Sequence, residues 1–196
     1  MKTNLPKLIF TGCFFMLSTG IFAQESVKLV VEPNHSTIGF AISIAKITRV
    51  TGKFKDYEIN IDYKEKDIAK SLIDIKIKVA SIDTGIEDRD TDLQSKTFFH
   101  SEKYPEITFK SHSISRKDDH YLAIGEFSMR GVTKEMSIPF ELVSAVDNTL
   151  AFKIRIKINR LDYGVGTKWQ HSLIPDFLGK EVDVEIDFWT KKAKIQ

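Results

Sequence analysis

The sequence predicts an all-β protein, an eight-stranded antiparallel barrel with a short helix and long loops at one mouth. Three observations carry that prediction. Apolar and polar residues alternate with period two through most of the chain after residue 36, as half-buried strands require. Several runs are joined by short turn sequences such as Lys117-Asp118-Asp119 and Arg130-Gly131-Val132-Thr133, which read as hairpins. No strand–helix–strand rhythm of a parallel α/β fold is present.

The strands follow in order. Ile38, Phe40, Ile42 and Ile44 alternate with Thr37, Gly39, Ala41 and Ser43 over about 36–44. Asn34-His35-Ser36 reads as the turn that enters this first strand, rather than as the glycosylation sequon it also matches. A second strand over 53–63 turns Tyr57, Ile59, Ile61 and Tyr63 to one face, and a third over 72–79 does the same with Ile73, Ile75, Ile77 and Val79. Ile107 and Phe109 mark a strand over 106–116, and another follows at 120–129. Met136, Ile138, Phe140 and Leu142 mark 135–145. The last two runs alternate most cleanly. Phe152, Ile154, Ile156 and Ile158 oppose Lys153, Arg155 and Lys157 over 150–159, while Val182, Val184, Ile186 and Phe188 oppose Glu181, Asp183, Glu185 and Asp187 over 181–190. A basic row and an acidic row on consecutive strands predict that these two pair antiparallel, since opposite charges across strands are favourable. One dry and one wet face per strand suits an antiparallel sheet, and closing it removes edges that would aggregate.

Composition narrows the function classes. With 42% hydrophobic and 29% charged residues, ten Gly and five Pro, the chain is neither fibrous nor disordered. A net charge of +2 is far from that of a nucleic-acid binder. The single Cys, Cys13, excludes an internal disulfide framework. Lys2 and Lys7 precede an uncharged apolar run from Leu8 to Ala23, the layout of a secretory signal peptide. The run is shorter than the roughly 20 residues of a membrane span and has no polar face for a core helix. Residues 1–23 are therefore expected to be a signal and 24–196 one exported domain, with 27 basic and 27 acidic residues and no cysteine. Phe10-Thr11-Gly12-Cys13 is similar to a lipoprotein cleavage site, but apolar sequence continues for ten residues beyond Cys13, where a polar tether would be expected.

Two connections are long. Within 80–105, Ile86 to Leu93 reads as a short polar helix with Asp83 or Thr84 near its N-cap. Residues 160–180 hold Tyr163-Gly164-Val165-Gly166, Trp169 and Pro175-Asp176-Phe177-Leu178-Gly179. Loops of this length in a small domain usually serve a site. The chain lacks a phosphate loop, a nucleophile elbow and an H-E-x-x-H motif. His35, His100, His112, His120 and His171 lie in separate elements without ligand spacing. Asp88-Arg89-Asp90 reads as a solvated face whose Arg89 is free to bond carbonyls of neighbouring loops. No catalytic residue, metal site or cofactor is expected. A barrel of this size either fills with side chains or holds one slim ligand, and periodicity alone leaves both open.

Val31-Glu32-Pro33-Asn34-His35-Ser36-Thr37-Ile38-Gly39-Phe40 resembles the opening segment of the YceI-like, or polyisoprenoid-binding, proteins. The likeness continues through Val50-Thr51-Gly52-Lys53-Phe54, Ala80-Ser81-Ile82-Asp83-Thr84-Gly85, Arg89-Asp90, Phe98-Phe99, Tyr104-Pro105, Gly125, Met129-Arg130-Gly131-Val132-Thr133-Lys134 and Asn159-Arg160 with Asp162-Tyr163-Gly164. Glu32 and Asn159 stand where Asp is usual. The resemblance implies a lipocalin-like barrel whose tunnel holds a long amphiphile such as a polyisoprenoid or isoprenoid quinone, for transport or storage in the periplasm. It favours that reading over a filled core acting only through its surface, a lipid-modifying enzyme, or an outer-membrane barrel. The outer-membrane reading would crowd the charged faces into a narrow lumen. The expected tunnel lining is Ile38, Phe40, Ile42, Ile75, Ile77, Phe109, Phe127, Met129, Ile138, Phe140, Phe152, Ile154 and Ile156, with Phe99 and Trp169 as gates. Loops 83–100 and 161–179 would flank the mouth, and Arg89, Arg130 and Arg160 are candidate partners for an anionic head group. Transient membrane contact and no nucleic acid complete the expected partners.

Overall fold

The computed structural model describes residues 27–64, 66–144 and 149–192; the expected signal segment and Cys13 lie outside the described residues. The elements are β1 (Val27–Val31), β2 (Thr37–Ile44), β3 (Thr48–Phe54), β4 (Tyr57–Tyr63), β5 (Leu72–Lys78), β6 (Ile82–Asp83), α1 (Glu87–Gln94), β7 (Glu106–Lys117), β8 (His120–Met129), β9 (Val132–Ser144), β10 (Thr149–Asn159) and β11 (Leu178–Lys192). Pairing runs β1-β4-β5-β7-β8-β9-β10-β11 and returns from β11 to β1, so eight antiparallel strands close a barrel. The β2–β3 hairpin extends the wall at one end. The first half of β11 pairs with β2, its last residues pair with β1, and β3 reaches β6 just beyond β5.

The alternation places the inner faces as expected. The adjacency of the two charged strands is also as expected: Lys153 lies opposite Asp187, Arg155 opposite Glu185 and Lys157 opposite Asp183. Arg155 bonds Asp187 at 2.7 Å, and Lys157 bonds Asp183 at 2.9 Å.

Three details correct the sequence reading. Strand β1 precedes the run taken as the first strand, so the turn at Asn34-His35-Ser36 enters β2. Its period is hidden because apolar Val30 points outward while only Leu29 is fully buried. The 53–63 run is two strands, broken at Lys55-Asp56, where Lys55 donates to the Ser81 carbonyl and Asp56 accepts from Lys78 N–H. The chain turns a corner there, leaving β2 to pair with β5. Lastly, the N-cap position of α1 is Ile86, with no side-chain cap. The roles are reversed, because the Asp90 carboxylate inside the helix accepts from the Thr84 N–H at 2.9 Å and from its hydroxyl.

Between β7 and β8 the register shifts at Ser111–Ser113. Gly125 faces that bulge, and a Cβ there would sit 2.1 Å from the Lys110 carbonyl oxygen. Only glycine permits so close a backbone approach.

Candidate functional site

The barrel interior is solid at one end and hollow at the other. At the solid end Leu29, Phe188 and Thr190 are almost fully buried, the Phe152 and Phe188 rings stack at 4.9 Å, and Thr190 Oγ1 donates to the Leu150 carbonyl. Above this plug lies a cavity of about 360 Å³, within the roughly 300–1,000 Å³ range of ligand pockets. Its walls are the inward side chains of β2, β5 and β7 to β11. Toward α1 its lining becomes half-exposed, through Ile44, Val50, Phe99, Trp169 and Phe177, and the cavity opens there.

The alternation explains the walls. Ile38, Phe40, Ile42, Ile75, Ile77, Phe109, Phe127, Met129, Ile138, Phe140, Ile154 and Ile156 all border the cavity, as do Phe99 and Trp169. Phe152 does not. It faces inward but sits in the plug, against Phe140 and Phe188, because period two encodes a side chain's face and not its depth along the barrel axis. Sequence reasoning omitted Val182, Val184 and Ile186, which the same alternation would have supplied, and Phe177, Ile44 and Val50, whose role depends on how the loops close.

The two long loops meet over the opening. Gly166 N–H donates to the Thr97 carbonyl at 3.1 Å, and the rings of Phe98 and Trp169 lie 6.3 Å apart. Phe54 meets Phe99 edge-on at 6.2 Å, and Trp169 approaches Phe177 at 5.9 Å.

Polar lining is sparse and sits under these loops: Thr84, Arg89, Asp92 and Arg160, with Thr108 on β7. Arg89 donates through Nε to Thr84 Oγ1 and through Nη2 to the Thr84 carbonyl, both at 2.8 Å. Arg160, 7% exposed, donates to the carbonyls of Gly179, Val165 and Leu178 at 2.7, 2.7 and 3.2 Å. It has no carboxylate partner among the described residues, and burial alone pushes its pKa down from the ordinary guanidinium value. A guanidinium has five N–H donors, so both arginines keep donors in reserve.

Arg130 is placed differently from the other two. It lies in the β8–β9 turn at a positive φ of 51°, donates to the Lys96 carbonyl at 2.9 Å, and does not border the cavity. Its Nε is buried without a partner among the described residues. Its work is to hold that turn to the 94–100 segment.

Among the described residues no three His, Cys, Asp or Glu side chains gather to hold a metal. His112 pairs with Glu135 and His120 with Asp119 on the surface.

Comparison with known proteins agrees with this geometry. Residues 29–189 match the YceI-like domain. The chain belongs to the YceI-like family. Protein YceI of Escherichia coli O157:H7 is 28% identical to it over 172 residues, 85% of this chain and 89% of its own. BcnA of Burkholderia cenocepacia superposes with a TM-score of 0.74 at 22% identity, over 82% of this chain and 99% of BcnA. A domain from Saccharophagus degradans, described as polyisoprenoid-binding and implicated in plant cell wall breakdown, superposes at 0.64 with 13% identity, over 85% and 98% of the two chains. At these identities the two structures bear on the fold alone. The YceI-like barrel thus carries an apolar, one-ended cavity with two arginines under its loops.

Proposed function

We propose that this protein holds a long apolar amphiphile, a polyisoprenoid, an isoprenoid quinone or a similar lipid, in the barrel cavity for transport or storage, without chemistry on it. The observation that carries the reading is the cavity itself. The 360 Å³ of apolar space is of ligand-pocket size, and its hydrocarbon walls gain by being covered with apolar atoms in place of water. A core selected only for folding would fill that space. The lining is nearly all hydrocarbon, and each CH₂ buried there contributes about 0.8 kcal/mol, offset by ordering a flexible chain. Selectivity then falls on slimness and length, with the Phe152–Phe188 stack as the stop.

Arg89 and Arg160 supply N–H donors to an anionic or carbonyl-bearing head group at the mouth, and Phe99 and Trp169 gate entry. Export by the 1–23 segment places the protein in the periplasm. What supports non-enzymatic binding is the family match together with the nearly all-hydrocarbon lining of the cavity. Native mass spectrometry before and after organic extraction tests the reading. The expected result is a lipid-mass adduct that extraction removes and added polyisoprenoid restores. A protein that takes up no lipid from any membrane extract overturns it.

A further inference from the structure

The rim of the cavity carries apolar side chains that face water. Ile47, at the tip of the β2–β3 hairpin, is 87% exposed, and Leu173, in the 161–179 loop, is 84% exposed. Ile174 beside it is 42% exposed. Most exposed apolar residues need no explanation, but these three belong to one structure. Ala45 N–H donates to the Phe177 carbonyl at 2.6 Å, tying the hairpin tip to the loop. The N–H groups of Leu173 and Ile174 both donate to His171 Nδ1 at 3.2 Å. The His171 ring in turn stacks on Phe177 at 4.3 Å. Phe177 borders the cavity. An apolar track therefore runs from the protruding tips through Phe177 into the barrel.

Lys46, Lys168 and Lys180 flank this track, and none forms an ion pair among the described residues. Asp176 borders the same groove as Lys46 and Lys180, together with Glu181 and Asp183, both of which are already paired with Lys157. On the other side of the mouth α1 is acidic, with Glu87, Asp88, Asp90 and Asp92 around Arg89. The rim is thus apolar and basic on one flank and acidic on the other.

We infer that the Ile47–Leu173–Ile174 flank is a docking surface for a bilayer bearing anionic phospholipid. Interfacial binding adds buried apolar area to attraction for anionic head groups, and both terms are present on this flank. Three side chains on two tips are too few for a protein interface, which takes about 800 Å² and 20–30 residues a side. Tips that project singly suit insertion between head groups. The acidic α1 flank stays in water, so the barrel docks tilted, with Phe177 and Trp169 nearest the lipid. The inference goes beyond the cavity reading, and its test uses no cavity ligand, so either can fail alone.

The experiment is flotation of the purified protein with vesicles of phosphatidylcholine alone or with phosphatidylglycerol, both free of polyisoprenoid. Wild type should float with the phosphatidylglycerol vesicles, and less so as salt rises. Ile47→Asp combined with Leu173→Asp should reduce the bound fraction at least tenfold. Both positions are more than four-fifths exposed, so an unchanged melting curve verifies folding. Val143→Asp, at an exposed apolar site on β9 (49% exposed), should leave binding unchanged. The inference is overturned if wild type stays with neither vesicle, if the double variant floats normally, or if Val143→Asp loses binding equally. It is also overturned if the double variant instead abolishes a dimer in sedimentation and vesicle binding is absent.

Discussion

Ala123→Leu separates an open cavity from a packed wall. Ala123 is 2% exposed, lies on β8 opposite Ile114 of β7 and Ile138 of β9, and borders the cavity. Leucine adds three carbons at that point. If they enter free volume, apolar burial at ~0.8 kcal/mol per CH₂ gives up to about 2 kcal/mol of added stability. If they meet a filled wall, overpacking costs about 1–3 kcal/mol instead. The two readings therefore differ in sign. Urea unfolding of the lipid-extracted protein should show the midpoint of the variant rising at unchanged slope, a gain of about 1–2 kcal/mol. The unextracted variant should carry less lipid by mass spectrometry, because the leucine occupies part of the ligand's space. A loss of more than about 1 kcal/mol in extracted protein would refute the argument, since no open space would then lie beside Ala123.

Four further outcomes are expected. Ile154→Lys buries an unpaired charge at a wall residue that is 4% exposed, and should cost at least about 3 kcal/mol together with lipid retention; a urea midpoint within about 1 kcal/mol of wild type contradicts the inward placement. In a Trp189→Phe background, Trp169 fluorescence should shift when lipid is extracted and return when it is restored, and a spectrum indifferent to both removes Trp169 from the gate. Arg160→Met should destabilise by about 3–5 kcal/mol, through loss of three charge-assisted bonds and the carbonyls left behind, and Arg160→Lys should recover less than half of it, since an ammonium cannot span all three; full recovery in urea unfolding contradicts the geometry. Hydrogen bonding to Lys157, ahead of the opposing effect of burial, holds the Asp183 carboxyl below its ordinary range, and hydrogen bonding to Lys191 does the same for Glu32. Depressed folded-state values mean that this stability is fully present at neutral pH and lost as pH falls through them, below about pH 4, so a melting temperature that rises on acidification below that point would contradict the pairings.

The barrel was legible because each strand's face is a local property. Tyr57 to Tyr63 and Phe152 to Ile158 state their inner side by period two, whatever the partner strand. Pairing of β10 with β11 was legible too, since Arg155 and Lys157 need acids across the ladder and Asp187 and Asp183 supply them. What depends on distance along the axis was not. Phe152 and Ile154 share one face two residues apart, yet one closes the plug and the other lines the cavity. The corner at Lys55-Asp56 was hidden for a related reason. Both strands keep their alternation while the partner changes from β2 to β5. Arg130 and Arg160 look alike as arginines beside glycine-bearing turns. Only the tertiary path sends one to the Lys96 carbonyl and the other under the cavity mouth. The cavity itself is a residual volume, the space left after large side chains have met, and no single segment encodes it.

The bonds of Arg160 determine where this mouth can open. Its three acceptors are the carbonyls of Val165, Leu178 and Gly179, which stand at the two ends of the segment carrying Trp169, His171 and Phe177. One buried guanidinium therefore clasps the base of the loop. The segment between the clasped ends is held by lighter contacts, chiefly the Gly166–Thr97 and Ala45–Phe177 hydrogen bonds and the ring contacts of Trp169 and Phe177. The wall beneath is a continuous ladder of antiparallel pairs. Local opening follows the region with the fewest buried contacts and most exposed hydrogen bonds, so it falls on residues 167–177 and spares the barrel. Under the proposed function, a hydrocarbon chain would then enter by displacing the aromatic lid while the strands stay paired. The proposed head-group role of Arg160 is compatible with the same geometry, because the clasp uses three of its five donors and Arg160 borders the cavity.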